Sequence, residues 1–554
     1  MVRRPALTRV AGLAVLLALA AGAATPRAAG GTGGGLSLIK SPELRDWLTY
    51  IASDELQGRA VFSTGIGLAA AYIEDHLRAW GVKPAGDAGS YLQAVRVLSV
   101  RSTSRSSVTV EVNGERRTFQ GGQGVTFPKN VGGARRLVID RVEFAGYALD
   151  APGAGHSDFT GKSFAGAALV WLGNAGPKGI DQTPYARVLK GRNRHATQAA
   201  GAAASIGPEP EPDGSAQASA SSDFTTSQRL DNPVAPNVTA SDAFFTFLFS
   251  RAPVPYDELR RRAVAGEPLP AFRLDGVTVT FNLDADYRVV RTQLAYNIVG
   301  TIEGSDPRLK STYVAFGAHY DHVGYADGEV VDGKRAGRLP GRVTDGALAD
   351  RIWNGADDDG SGTVSVMAIA RAFAEGPRPK RSILLVWHTG EERGLLGSRY
   401  FADYPEVPMD HILAQLNVDM VGRNRDDRSS EGNTVYLVGS DRISSELDAI
   451  SRDANAAMRT PLSMNYDLND PADVEQLYFR SDHYSYAAKG VPVIFFTTGL
   501  HPDYHANTDE VGKIDFGKMT RIAQMIYETG WRVANLDHAP LHDNRGARAG
   551  RPAK

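Results

Sequence analysis

From Ala295 onward, short apolar runs alternate with longer stretches in which apolar residues recur every third or fourth position. The runs NIVGTIEG (297–304), TYVAFGAH (312–319), RSILLVWHTG (381–390), ILAQLNVDM (412–420), TVYLVG (434–439) and VPVIFFTTG (491–499) have strand length. Helical periodicity falls at about 362–375, 394–403, 443–458 and 512–533. Continuously apolar strands separated by helices predict a buried, mostly parallel sheet in an α/β sandwich. Upstream, Ser41-Pro42 reads as an N-cap and first helical residue of a helix to about Ser53. A second helix is expected from near Leu68 to Trp80, stopped by Gly81.

Between about Val108 and Leu283 the texture changes. SVTVEV (107–112), RLVIDRVEFAGYA (136–148), GAALVWLG (166–173) and VTVTFNL (277–283) alternate with the period of strands. They predict a β-rich domain, 108–288, inserted between a first part of the main domain (38–107) and its larger part (289–534). GPEPEPDGSAQASASS (207–222) is polar and reads as an exposed, mobile loop. GGTGGGLSLIK (30–40) reads as a flexible lead-in, and 535–554, ending in NRGARAGRPAK, as a flexible tail.

Composition narrows the class. The chain has 554 residues, 42% hydrophobic and 22% charged, with a formal net charge of −2, so nothing favours nucleic acid or an anionic membrane as partner. The N-terminus carries arginines, an apolar stretch from Val10 to about Ala20, and Ala21-Gly22-Ala23. This is the pattern of an export signal covering 1–23 and cleaved near Ala24, and its apolar stretch falls short of the roughly 20 residues of a membrane span. A secreted or periplasmic protein with no stable membrane insertion is expected. Arg3-Arg4 forms a twin-arginine pair, but Pro5 and Ala6 follow it. There is no cysteine, so disulfides are excluded and any metal must be held by His, Asp and Glu.

The polar residues that end the predicted strands supply such a set. AFGAHYDHVG ends in His319, Asp321 and His322; ILLVWHTGEERG in Glu391 and Glu392; LAQLNVDM in Asp419; VIFFTTGLHPDYH leads to Tyr504 and His505. NGADDDGSG (354–362) places Asp357, Asp358 and Asp359 before a helix. Singly, each has an ordinary structural explanation, such as a capped turn or a hydrogen-bonded histidine. In open α/β sheets, however, functional groups collect beyond the carboxyl ends of strands. Two histidines and several carboxylates gathered there, without cysteine, suit zinc.

Taken in order, HxD, DDGSG, EE with GLxGS, NxDM and YH resemble the di-zinc exopeptidase family, over about 40–105 and 290–533. That family contains bacterial leucyl aminopeptidases, the yeast vacuolar aminopeptidase, glutamate carboxypeptidases and the transferrin receptors. The resemblance implies two zinc ions, with His319 and Asp419 on one, Glu392 and His505 on the other, and Asp358 bridging; Asp357 and Asp359 are the alternatives in the acidic loop. It further implies Glu391 as general base, Asp321 orienting His319, and Tyr504 hydrogen-bonding the oxyanion. VEFAGYAL (142–149), FTGKSFAGAALVWLGNAGP (159–177) and HATQAAGAAASIGP (195–208) resemble the protease-associated domain. No site is assigned there, and His156 and His195 read as surface residues.

The leading expectation is an aminopeptidase acting on peptides. A carboxypeptidase or glutaminyl cyclase on the same fold is the first alternative, and a non-catalytic receptor-like protein the second. Polarity rests on charge: Asp357, Asp359, Glu391, Asp482 and Asp503 offer carboxylates for a substrate ammonium. Arg393, Arg423 and Arg480 are scattered, with none marked to grip a terminal carboxylate. Asp482 and His483 either line the site or support it, and the long loop 325–353 lies beside the candidate ligands.

Overall fold

The computed structural model describes residues 34–210, 223–226, 230, 233–328, 330, 331, 334, 335, 339–471 and 473–543. The export signal with its cleavage point, most of the polar 207–222 stretch, and 544–554 lie outside the described residues. Among those described, ten strands form the main sheet. They are β1 (Lys83–Pro84), β2 (Leu92–Ser104), β3 (Asp223–Thr226), β4 (Ala285–Ile302) and β5 (Tyr313–His319). After these come β6 (Ser382–His388), β7 (Ile412–Val418), β8 (Thr434–Val438), β9 (Ser463–Asn465) and β10 (Val493–Thr497). The spatial order is β3-β2-β4-β6-β5-β7-β10-β8-β9, with β1 against β4.

The parallel part is the centre, β6-β5-β7-β10. Those four are the continuously apolar runs, buried on both faces as a parallel sheet requires. Period-two alternation divides their side chains between two layers. Val314, Phe316, Ile383, Leu385 and Trp387 pack with α1 (Ser41–Ile51), α2 (Thr64–Ala79), α3 (Gly362–Glu375), α5 (Ser445–Ala456) and α7 (Phe516–Ala534). Ala315, Leu384 and Val386 face the other way, toward α4 (Leu396–Asp403) and α6 (His483–Ala487). Gly530 lets α7 close on the sheet, since a Cβ there would lie 2.2 Å from the Phe316 ring.

The flanking strands join this centre on both sides by antiparallel pairs, β4 with β6 and β8 with β10, while the outermost pair β8-β9 is parallel. β4 begins at Ala285 rather than Asn297, and β2 pairs with it from Ser104↔Ala285 to Leu92↔Ile298. The inserted region builds a second ten-stranded sheet with its own core, which includes Val108, Val110, Phe119, Phe144, Val170, Phe244, Val279 and Phe281. β3 returns from it to pair with the outer edge of β2.

Four local expectations change. α1 starts at Ser41 with Lys40 as its N-cap, because the Ser41 hydroxyl is engaged by Thr520 Oγ1 at 2.7 Å. The described lead-in is docked: Ile39 is buried and Gly35 N–H donates to the Tyr527 hydroxyl. Residues 535–543 are docked too, with Arg381 donating to the carbonyls of Leu536 and His538 and Asp543 accepting from Ser445 N–H. In the insert, His156 lies 3.0 Å from Asp158, and His195 packs edge-on against Phe159, so both are structural rather than free surface groups.

Candidate functional site

His319 ends β5, Glu391 and Glu392 follow β6, Asp419 follows β7, and the loop after β10 carries Tyr504 and His505. Parallel register sets His319 beside His388 on β6, so these ends open on one side of the sheet. All five residues expected as ligands meet there around Asp358. His319 Nε2 is 3.3 Å from Asp358 Oδ1 and 3.7 Å from Asp419 Oδ2. His505 Nε2 is 3.1 Å from Asp358 Oδ2 and 2.9 Å from Glu392 Oε2. Asp358 Oδ1 thus faces His319, and Oδ2 faces His505 with His322 Nδ1 at 3.9 Å; each of these histidines faces a second carboxylate.

The charge balance of this cluster shows what it suits. Burial disfavours charge on His505, yet the Asp358 and Glu392 carboxylates hold its imidazole up at about 11. Burial likewise opposes charge on His319, and Asp419 and Asp358 hold it well above the usual range. Carboxylates that pull protons onto both imidazoles are demanding positive charge. Zinc, which takes His nitrogen and carboxylate oxygen, answers that demand.

Asp358 is the member of the acidic loop that faces the cavity; the peptide joining it to Asp359 is cis. Asp357 turns back to accept Gly422 N–H at 2.6 Å and to face His501 Nε2 at 3.2 Å. Asp359 accepts the N–H groups of His319, Gly362 and Met420. Asp509 accepts from the backbone N–H of both Asp357 and Asp358. Beneath them lies Arg59, fully buried. It donates to the carbonyls of Tyr320 (3.0 Å), Ile51 (2.6 Å), Asn354 (2.6 Å) and Gly355 (2.9 Å), tying the His319 segment to the acidic loop. Burial pushes its guanidinium down to about 10, so it stays charged at neutral pH. The turn before it passes so close to Gly324 and Trp353 that Gly58, at φ +65, has no room for a Cβ.

Asp321 acts differently from its expected role. The atom nearest His319 Nδ1 is the backbone carbonyl of Asp321, at 3.1 Å; the carboxylate is 3.8 Å away. A carbonyl partner fixes Nδ1 as the donor and leaves the Nε2 lone pair for a metal. The carboxylate instead accepts Glu391 N–H at 3.2 Å. Glu391 lines a recess with His319, Asp358 and Asp419. Desolvation there, with Glu392, Asp482 and Asp419 nearby, holds its carboxyl well above the usual glutamate range.

Tyr504 lines the same recess and stacks on His505, ring centroids 4.0 Å apart. Its hydroxyl accepts from Arg480 Nη2 at 3.1 Å, so its own hydrogen is available to donate. Sequence reasoning left His322 without a role. It is buried, with Nδ1 2.9 Å from Glu392 Oε1 and 3.9 Å from Asp358 Oδ2, and its ring centroid is 5.8 Å from that of His505, so it joins the ligand cluster itself. The HYDH spacing was the available signal.

The surplus acids do not form an ammonium site. Besides Asp357 and Asp359, Asp503 is taken by Arg423 (3.0 Å) and Lys513 (2.8 Å), and Asp482 faces His388 at 3.4 Å. His483 stacks on Phe495, so both residues of the Asp482-His483 pair support the site from behind. Of the candidates, Glu391 alone lines the recess. The recess is narrow, about 30 Å³, with Met420, Leu477, Phe495 and Leu500 as apolar lining. A second cavity of about 420 Å³ opens beside Glu392 and His505, and Tyr325, Leu339 and Pro340 of the 325–353 loop wall it.

Residues 297–530, which carry every one of these ligands, match the profile of peptidase family M28. The likeness to that family covers this segment. A probable zinc metalloprotease of Phaeosphaeria nodorum is 29% identical over 280 residues, covering 44% of this chain and 53% of the relative. Leucine aminopeptidase 1 of Trichophyton equinum is 26% identical over 243 residues, covering 42% and 56%. The chain spans about half the length of the curated relatives it matches. Among solved structures, an aminopeptidase from Aneurinibacillus sp. strain AM-1 aligns with 92% of this chain and 97% of its own, at 16% identity and a TM-score of 0.43. The M28 segment contains the entire parallel centre of the sheet.

Proposed function

We propose that this chain is an exported, zinc-dependent aminopeptidase that binds two zinc ions and carries a protease-associated-like insert. The observation that carries the reading is the divided carboxylate of Asp358, with Oδ1 facing His319 and Oδ2 facing His505. His319, Asp419 and Asp358 would hold one ion, and His505, Glu392 and Asp358 the other. Zinc in such a site polarises a carbonyl and acidifies a water. Glu391, its proton affinity raised by its surroundings, accepts the water's proton and returns it to the departing amine. Tyr504, held by Arg480, donates to the carbonyl oxygen as negative charge develops there.

Attack from the amino end is supported by where the cations stand. Arg480 is bonded to Glu475 as well as to Tyr504, and Arg423 to Asp427 and Asp503. Neither offers a free fork to a terminal carboxylate. One observation favours a carboxypeptidase: Arg393 lines the larger cavity, with no ion pair among the described residues. Purified protein loaded with zinc, given an aminoacyl-arylamide and an N-acetylated dipeptide, tests the assignment. Two zinc ions per chain and arylamide cleavage are expected. Hydrolysis of the blocked dipeptide alone replaces the reading with the carboxypeptidase.

A further inference from the structure

The recess has one wall that the catalytic domain does not hold by itself. Val474–Asp482 is irregular backbone leading into α6: Gln476 has φ +51, and a single short turn, Leu477–Phe479, interrupts it. Leu477, Arg480 and Ser481 of this wall line the recess, and Ser481 donates to the ligand Asp419 Oδ2 at 2.6 Å. Its outer side is covered by the insert. Val474 packs on the insert's apolar cluster containing Val188 and Leu189. Arg187 Nε lies 2.7 Å from Glu475 Oε2, Arg194 Nη2 donates to Gln476 Oε1 at 3.2 Å, and the Tyr484 hydroxyl donates to Gln198 Oε1 at 3.2 Å. Arg194 also sits 5.3 Å above the Phe479 ring.

We propose that the inserted domain positions this wall, and that Arg187 acts on the reaction centre through Glu475, Arg480 and Tyr504. The geometry is a continuous relay. Glu475 Oε2 is shared between Arg187 and Arg480 Nη1 (2.8 Å), and Arg480 Nη2 donates to the Tyr504 hydroxyl. Recess size gives the wall its importance. The recess is about 30 Å³, against about 150 Å³ for an enclosed cavity that admits benzene, so small displacements of Leu477 and its neighbours change what it accepts. How far they yield is set by what grips them from behind. Arg187, Arg194 and Gln198 are therefore positioning residues, and none of them lines the recess.

This inference rests on the peptidase reading, and the experiment separates the two. Full-length protein loaded with zinc is assayed on leucyl- and alanyl-arylamides, alongside the Arg187→Ala/Arg194→Ala variant. The expected result is a fall in kcat of about fivefold, with a changed leucyl-to-alanyl preference, at unchanged zinc content. Arg187→Lys should restore most of the rate. If the double variant does not fold, Glu475→Gln should give the same kinetic defect, and adding Arg187→Ala to it should cost nothing more. A wild type that cleaves arylamides, with variants matching it in kcat and preference, overturns this inference alone. A wild type without peptidase turnover overturns both.

Discussion

On the ligand side of the recess, the carboxylates that face away from it are locked. Asp359 takes three backbone N–H groups, Asp509 two, and Asp357 is held by Gly422 and His501. Arg59 joins two of the ligand-bearing segments through four carbonyls. On the opposite side, the 474–484 wall is bonded to arginines of the inserted region, with the Arg187 side chain half-exposed. Buried, fully bonded polar networks are rigid and costly to disturb, whereas exposed ion pairs contribute about 0–1 kcal/mol. The contrast is between a ligand cluster held by depth in the fold and a recess wall held by an exposed contact; on the proposed reading, metal geometry and substrate fit are then set separately.

Mutations break that comparison in graded steps. Glu391→Gln should bring the largest kinetic loss, about 10²–10⁴ in rate with zinc retained. Metal analysis beside steady-state kinetics checks it, and activity within a few-fold of wild type would remove Glu391 from its role. Asp358→Ala should lose both ions, read by zinc content after dialysis. Asp357→Ala should keep them but lower stability by about 3 kcal/mol, because it strips a buried histidine of its partner.

Arg59→Met should destabilise by about 3–5 kcal/mol in urea melts, since it removes the shared donor of four buried carbonyls, of which Gly355 keeps the Gly360 N–H. Arg59→Lys should recover part of that. An unchanged melt would mean the clasp is not needed. His322→Phe should weaken zinc binding by about 10–100-fold, as losing a group that orients a ligand does. Titration against a chelating dye measures it. The wall variants described above come last, at a few-fold and without loss of metal.

The central strands and the polar residues at their ends were legible because both follow from chemistry that sequence displays directly. Apolar runs must be buried, and five carboxylates and histidines at strand ends have few other uses. DDGSG also pointed to Asp358, the middle aspartate of the acidic loop, and Asp358 is the one that turns to the cavity. What stayed hidden depends on direction. HYDH does not reveal that Asp321 meets His319 with its carbonyl and Glu391 with its carboxylate, or that His322 reaches Glu392. The acids weighed as an ammonium site could not be told from acids consumed by backbone N–H groups and arginines. β2 was missed because half its face is polar, and only its pairing with β4 makes it a strand.

The pairing of Ser104 with Ala285 has one more consequence. The chain leaves the catalytic fold and re-enters it at directly opposed residues of an antiparallel ribbon. To the parent sheet, what lies between acts as a hairpin connection, apart from β3, which returns to the outer edge of β2. Closing a loop grows costlier only with the logarithm of its length, and here the ends are already adjacent. The ribbon thus lets the 105–284 segment join the fold without breaking the register of the parallel central strands.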